Sequence, residues 1–123
     1  MKKAFTLLEM LIVLGIIAVI LSVLTISYST AQKKTRDAKR KGDIKAVQNA
    51  LEQFYSSCNY AYPTGSSLSA PVTCSGTEFL SEIPLDPKTG LPYTYTSDGS
   101  TFSICTTSIE SDSITGFCAA NQQ

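Results

Sequence analysis

The feature that most constrains this chain is an apolar run near its N-terminus. The run extends from Phe5 to Tyr28, is 24 residues long, and contains Glu9 as its one charged residue. At about 1.5 Å per residue, a helix of this length reaches roughly 36 Å, whereas the hydrocarbon core of a bilayer is about 30 Å thick. A buried core helix is disfavoured, because the rest of the chain is too short to cover it on all sides. We therefore predict a membrane-spanning helix over residues 5–28.

A secretory signal peptide is an alternative interpretation of the same segment. Lys2 and Lys3 would form its basic region, Met10–Leu24 would form its apolar region, and cleavage would follow Ala31. That cleavage would release a secreted soluble module. The length of the apolar run and the acidic residue near its start favour the membrane helix.

Charge is segregated along the chain although the net charge is zero. The stretch 33–45 has two acids, Asp37 and Asp43, against a set of bases: Lys33, Lys34, Arg36, Lys39, Arg40, Lys41 and Lys45. Residues 46–123 are acidic and contain Lys88 as their one base. We expect many of the bases to lie too far from the acidic block to pair within one molecule. They would then face either lipid headgroups or the acidic domain of another copy.

The composition excludes several classes of function. The chain has no His, so it lacks the commonest acid–base residue at neutral pH and the commonest metal ligand. No nucleophile and base can be paired, so we expect no enzyme, no catalytic residue and no metal-ligating residue. The basic stretch lacks interleaved aromatic residues, which makes DNA the less favoured partner for it.

The helix is predicted to continue beyond the membrane run. No Pro occurs between Tyr28 and Tyr55, and apolar residues recur at helical spacing. They are Ile44, Val47, Leu51 and Phe54, with Ala46 and Ala50 beside them. We predict one helix from Phe5 to Ser57 whose second half needs a covering layer, with Gly42 as a candidate bend.

The remainder is predicted to be a small β domain. Residues 58–90 contain four prolines and are expected to form an irregular loop with a short helical turn at 76–82. Residues 93–96, 97–100 and 101–105 predict a strand, a turn and a strand, with a third strand near 114–118. Phe102, Ile104, Tyr93 and Tyr95 would face the helix. The fold class is α+β, a long N-terminal helix packed on a small antiparallel sheet.

Four cysteines, Cys58, Cys74, Cys105 and Cys118, all lie beyond the membrane run. Their spacing is unlike that of a four-cysteine zinc site, so two disulfides are expected. Disulfides place this part of the chain outside the cytoplasm. Three pairings are open, and short loops favour Cys58–Cys74 with Cys105–Cys118.

The N-terminal residues resemble the signal of type IV prepilins and of type II secretion pseudopilins. The segments that carry the resemblance are KKA at 2–4, FTLLE at 5–9 and MLIV at 10–13. Further segments resemble major pseudopilins and short bacterial pilins: DI at 43–44, ALE at 50–52, YPT at 62–64, IPLDP at 83–87 and GLPYTY at 90–95.

The resemblance implies a leader, residues 1–4, that a prepilin peptidase removes between Ala4 and Phe5. The family usually has Gly where this chain has Ala4. The new amine of Phe5 would be methylated, and Glu9 would pair with the Phe5 amine of a neighbouring subunit during assembly. The remaining parts would be a transmembrane and filament-core helix (5–28), an amphipathic continuation (29–57) and a disulfide-containing domain (58–123).

The implied function is a structural subunit of a type IV pilus-like filament, with a major pseudopilin of a type II secretion system as the alternative. Its partners would be copies of itself, the prepilin peptidase and an inner-membrane assembly platform. The chain would cross the cell membrane once before assembly and then join an extracellular or periplasmic filament. No cofactor is expected. Asp98, Glu110 and Asp112 could supply oxygens to a calcium loop of the kind that pseudopilins contain, with solvated loop acids as the alternative.

Overall fold

The structure, a computed structural model, describes residues 5–111 and 115–122. The chain divides into two compact units, Met1–Lys33 and Lys34–Gln123. A single helix, α1 (Leu7–Ser57), supplies most of the first unit and the N-terminal part of the second. This confirms the predicted long helix, which begins two residues later than expected.

In the first unit, the start of α1 is set by a local cap. The backbone N–H of Glu9 donates to the hydroxyl of Thr6 over 3.2 Å, which satisfies a donor that has no partner within the helix. Thr6-Leu7-Leu8-Glu9 fits the Thr-x-x-Glu pattern of a capping box. The helix contains an 18-residue window of mean hydropathy 2.9 with no residue buried, so by length and composition it could cross a membrane.

In the second unit, α1 buries one face against the sheet and loops. The predicted apolar residues Ile44, Val47 and Leu51 are all buried, and Phe54 is half-buried. Ala46 lies on the exposed side instead. The helix continues through Gly42 without a break, because the residues on either side keep helical hydrogen bonding. The same face is extended toward the N-terminus by two buried polar residues, Asp37 and Arg40.

The covering layer is a three-stranded antiparallel sheet. Its strands, in the order in which they pair, are β3 (Thr94–Ser97), β4 (Phe102–Cys105) and β5 (Cys118–Ala120). The β3–β4 hairpin matches its prediction to within one residue at each end. The third strand begins at residue 118, where the predicted strand 114–118 ends; Ile114 lies outside the described residues.

A second hairpin corrects the prediction for the loop region. Strands β1 (Val72–Cys74) and β2 (Thr77–Leu80) pair antiparallel, so the helical turn predicted at 76–82 is wrong. Ser75 and Gly76 connect them with φ values of 50° and 82°. Two consecutive left-handed residues give the backbone twist of a two-residue hairpin turn, which joins strands and cannot continue a helix.

The core joins helix and sheet. Its buried members are Ile44, Val47, Leu51, Tyr62, Tyr93, Tyr95, Phe102 and Ile104. Two disulfides lie at its margins, and their pairing is the one that short loops favour. Cys58–Cys74 joins the end of α1 to β1, and Cys105–Cys118 joins directly opposed residues of β4 and β5.

Candidate functional site

The predicted processing and assembly residues lie in the first unit. Phe5 precedes α1 and is 71% exposed, and Glu9 is exposed in the first helical turn. Ala4, on the other side of the predicted cleavage point, lies outside the described residues. Within the described part of the chain, the carboxylate of Glu9 makes no hydrogen bond or ion pair, so it is free to meet a group from outside the molecule.

The second unit contains a cluster of buried charges that the sequence interpretation missed. We call it the Arg40 cluster. It consists of three cations and three carboxylates: Arg36, Arg40, Lys88, Asp37, Asp86 and Glu110. The cluster is therefore neutral overall.

Arg40 is the centre of this cluster and is only 1% exposed. Its Nε and Nη2 donate to the two carboxylate oxygens of Asp86 over 2.6 and 3.2 Å. Its Nη1 lies 2.7 Å from Asp37 Oδ1 and 3.0 Å from Glu110 Oε1. The planar guanidinium can serve all three carboxylates at once because its N–H groups point outward in one plane.

Glu110 also forms ion pairs with two other cations, Arg36 and Lys88. Arg36 donates to both of its carboxylate oxygens, over 2.9 and 2.7 Å. The ammonium of Lys88, which is largely exposed, lies 3.2 Å from Oε2. Glu110 thus closes the cluster on its solvent side, where the pairing is weaker than around Arg40 because water screens it.

The carboxylates of the cluster also hold two loops by their backbone. Asp37 accepts the N–H groups of Glu110 and Ser111 over 3.0 and 2.7 Å. Asp86 accepts those of Lys88 and Thr89 over 2.8 and 2.9 Å. The cluster therefore holds residues 86–89 and 110–111 against residues 36–40 of α1. Its buried side-chain nitrogen and oxygen atoms all have hydrogen-bond partners.

The electrostatics agree with this geometry. Burial raises the pKa of Asp37, but hydrogen bonds from the backbone of Glu110 and Ser111 and from Arg40 outweigh it and lower that pKa to about 2. The hydrogen bond from Arg36 is the main cause that lowers the pKa of Glu110 to about 2. The hydrogen bond from Arg40 lowers the pKa of Asp86. All three carboxylates are therefore ionised at neutral pH.

Two tyrosines outside the strands, Tyr62 and Tyr93, hydrogen-bond to acids of α1. Tyr93 donates its hydroxyl to Asp43 over 2.8 Å, and Tyr62 donates to Glu52 over 3.2 Å. Burial raises the pKa of Tyr62 to about 12, so its hydroxyl keeps the proton it donates. Two further acids of α1, Asp43 and Glu52, thus have hydrogen-bond partners within the domain.

The cluster corrects the expectation for the basic stretch. Both arginines pair with carboxylates of the same molecule: Arg36 with Glu110, 74 residues away along the chain, and Arg40 with Asp86, 46 residues away. The Asp37–Arg40 spacing of three residues was the one local signal, because such pairs meet on a helix surface. The remaining bases of the stretch are five lysines, all exposed.

The candidate calcium ligands do not share a site in the part that the structure describes. Asp98 accepts the N–H groups of Ser100 and Thr101 in the β3–β4 turn, whereas Glu110 is held by the Arg40 cluster. Asp112 lies outside the described residues. Among those that are described, no group of three or more such side chains could hold a metal ion. Calcium binding stays a prediction.

Comparison with known proteins supports the resemblance of the N-terminal segment. Residues 1–25 match the family model of the prokaryotic N-terminal methylation motif. The chain is 29% identical to type II secretion system core protein G of Pseudomonas aeruginosa over 109 residues, which cover 80% of this chain and 75% of that protein. It is 34% identical to type II secretion system core protein G of Escherichia coli K12 over 92 residues, which cover 75% of this chain and 57% of that protein.

No solved structure gives a significant match to the chain. The methylation motif accounts for the N-terminal segment, and the two relatives extend the similarity into the domain that follows. The long helix packed on a small antiparallel sheet is consistent with the same assignment. The N-terminal methylation motif and these two relatives support a place for the chain among type IV pilins and type II secretion pseudopilins.

Proposed function

We propose that this chain is a major pseudopilin, the repeating subunit of a type II secretion filament. The observation that carries the proposal is the similarity to core protein G, which covers three quarters of the Pseudomonas aeruginosa protein. Both named relatives are secretion components, so this alternative is better supported than a subunit of a surface pilus.

The subunit would be stored in the membrane by its N-terminal helix. The side chains of this helix are apolar and exposed in the isolated chain, for example Leu11, which is 66% exposed. A bilayer would cover such a surface before assembly, and helices of neighbouring subunits would cover it afterwards. The disulfide-containing domain would lie outside the cytoplasm in both states.

Processing would convert the stored subunit into one that can assemble. Cleavage between Ala4 and Phe5 would remove Lys2 and Lys3 and create a new amine at Phe5. That amine is positive and lies at the positive end of the α1 dipole, so a carboxylate near it is favoured. Glu9 of an adjacent subunit would supply this carboxylate, and both charges would be neutralised inside the filament.

Deletion of the gene in its own host tests the proposal. We expect the loss of exported enzymes from the culture medium, with their accumulation in the periplasm, while surface pili stay at the wild-type level. Loss of pili with normal export would instead assign the chain to a pilus.

The mass of the mature chain tests the other alternative. A chain that starts at Phe5 and stays with the membrane or filament fraction is expected. A soluble chain that starts at Gln32 would overturn the filament assignment, because cleavage after Ala31 removes the apolar helix.

A further inference from the structure

Three exposed lysines, Lys34, Lys41 and Lys45, form a row on one side of α1 in the second unit, which we call the lysine row. At about 100° per residue they lie within about 40° of one another around the helix, and they extend about 17 Å along it. Their contacts are with neutral groups: Lys45 donates to Gln48 over 3.0 Å, and the Lys41 ammonium lies 6.0 Å from the ring centre of Phe117. None of the ion pairs between described residues includes the lysine row.

Two exposed glutamates, Glu78 and Glu82, lie on and just after β2, and we call them the glutamate pair. Strand β2 packs on α1 through Phe79, whose ring meets that of Phe54 edge to face at 5.7 Å. Phe54 lies about 140–180° around the helix from the lysine row. The glutamate pair therefore belongs to the opposite side of the domain.

The two surfaces cannot satisfy each other within one molecule. Lys41 and Phe54 are separated by about 20 Å of helix in addition to their different directions. The other carboxylates described in the second unit already have partners: Asp37, Asp86 and Glu110 in the Arg40 cluster, Asp43 and Glu52 on tyrosines, and Asp98 in a turn. Among the described carboxylates of the second unit, the glutamate pair is therefore the acidic surface that is left to pair with a lysine row.

We propose that the lysine row of one copy contacts the glutamate pair of the next copy, an inference that rests on the proposed filament function. Two different patches on opposite sides of a domain form a head-to-tail contact. The first and last copies of such an assembly each keep one unused patch, to which a further copy can bind. Their offset along α1 would stagger successive copies by about 20 Å. Such a contact selects the register and the partner more than it adds affinity.

Anionic lipid headgroups are a weaker candidate for the lysine row. The headgroup layer of one leaflet is about 5–8 Å thick, which is less than half of the 17 Å length of the row. A helix that leaves the membrane along its normal could keep only one end of the row in that layer. A neighbouring domain can cover the whole row.

Charge reversal tests the contact in the full chain expressed in its host. Lys41→Glu with Lys45→Glu, and separately Glu78→Lys with Glu82→Lys, should each reduce the filament fraction about tenfold, because like charges then face each other. The combination of all four changes restores opposite charges and should recover the filament to within about threefold of wild type. The membrane pool of each variant is measured alongside, so that a folding loss is separated from an assembly loss.

The matched control is Lys33→Glu with Lys39→Glu, which changes the net charge equally but lies off the row. This variant should form filaments at nearly the wild-type level. A loss as large as that of the Lys41 and Lys45 variant would assign the effect to headgroups and overturn the proposal, as would a fourfold variant that is no better than either double variant. If the wild-type chain itself entered no filament, the proposed function would fail, and the contact with it.

Cross-linking gives an independent readout. Filaments assembled from a mixture of isotopically light and heavy copies are treated with a carbodiimide, which joins an amine directly to a carboxylate. Light–heavy peptides that join Lys41 or Lys45 to Glu78 or Glu82 are expected. Cross-links from these lysines to other acids alone would overturn the contact while leaving the filament function intact.

Discussion

The guanidinium of Arg40 donates hydrogen bonds to both carboxylate oxygens of Asp86, over 2.6 and 3.2 Å, although the two residues are 46 positions apart in the sequence. The same carboxylate accepts the backbone N–H groups of Lys88 and Thr89. One ion pair thereby fixes both the face of α1 that enters the domain and the shape of the loop that covers it. Because Arg40 also meets Asp37 and Glu110, its removal would leave three carboxylates without their central cation.

Arg40→Ala is therefore expected to destabilise the domain severely. Removal of one partner from a buried ion pair costs about 3–5 kcal/mol, because the remaining charges stay buried and uncompensated. Urea unfolding of the full chain in detergent micelles measures this loss. Arg40→Lys should lie between the wild type and Arg40→Ala, since it keeps the charge and loses the planar fork.

Lys39→Ala, at the adjacent exposed position, is the matched control. It should change the free energy of unfolding by no more than about 0.5 kcal/mol. Equal unfolding midpoints for Arg40→Ala and Lys39→Ala would show that the cluster contributes nothing to stability.

The stability of the domain should fall in acid. Asp37 and Glu110 have pKa values of about 2 in the folded chain, below the values near 4 of unfolded chains. Groups whose folded pKa is lowered stabilise the fold above their unfolded pKa and lose that contribution as the pH falls through the folded pKa. The urea concentration at the unfolding midpoint should stay constant from pH 7 to about 5 and should then decrease toward pH 2.

Asp37→Asn tests the source of this acid dependence. The variant should be less stable at pH 7, and its stability should fall less steeply below pH 4.5 because one of the titrating carboxylates is absent. A loss of stability below pH 4.5 that is as steep as in the wild type would assign the pH dependence to other carboxylates.

The disulfides should be complete and should pair locally. The denatured but unreduced chain is expected to show no free thiol, and peptide mapping should find Cys58 joined to Cys74 and Cys105 joined to Cys118. Replacing either pair by Ser should cost about 3 kcal/mol, since the loops close over 16 and 13 residues. A Cys58–Cys105 peptide would contradict the pairing, and labelling of all four thiols would contradict the disulfides themselves.

Parts of the fold could be read from the sequence because their signals are local. The helical spacing of Ile44, Val47 and Leu51 predicts the buried face of α1, and Asp98-Gly99 marks the β3–β4 turn. The β1–β2 hairpin was missed because its turn, Ser75-Gly76, is a weak signal among many Ser, Thr and Pro residues, and its strands are three and four residues long.

The Arg40 cluster could not be read in the same way. Charged residues on a predicted helix are exposed by default, and the one local signal, the three-residue spacing of Asp37 and Arg40, is matched by the four-residue spacing of Asp37 and Lys41. Its partners Asp86 and Glu110 come from two separate loops, whose approach to α1 depends on the tertiary fold. The N-terminal motif, by contrast, is contiguous, so its resemblance to prepilin signals can be recognised from the sequence alone, and the assembly roles of Phe5 and Glu9 that it implies stay predictions.

Gly42→Ala should stabilise the second unit. Gly42 lies within α1, and a Cβ built on it meets no atom within 4 Å. An alanine should therefore add about 0.5–1 kcal/mol to the free energy of unfolding. Gly99→Ala is the contrasting control, because Gly99 has a φ of +94° and its Cβ would lie 3.1 Å from Thr64 Cγ2. Destabilisation by Gly42→Ala comparable to that of Gly99→Ala would mean that the helix is not continuous there.

Glu9 has two candidate roles, which its substitutions can separate. The first is a capping-box role: Thr6 caps the backbone N–H of Glu9, and the Glu9 carboxylate would return a bond to the backbone N–H of Thr6, for which Gln can replace Glu. In the proposed filament it neutralises the Phe5 amine of a neighbour, and Gln lacks the charge for this. If pairing is the main role, Glu9→Gln and Glu9→Ala should both enter the membrane normally and both fall well below wild type in the filament fraction.

Thr6→Val completes this comparison, because it removes the hydroxyl that accepts the N–H of Glu9 while it keeps the carboxylate. The loss of a cap costs about 1 kcal/mol. The rest of the helix keeps its backbone hydrogen bonds in the membrane, so this variant should still assemble. Filament and membrane fractions of all three variants are measured by quantitative immunoblotting. Normal assembly of Glu9→Gln with failure of Thr6→Val would assign Glu9 to the cap and leave the Phe5 amine to a different partner.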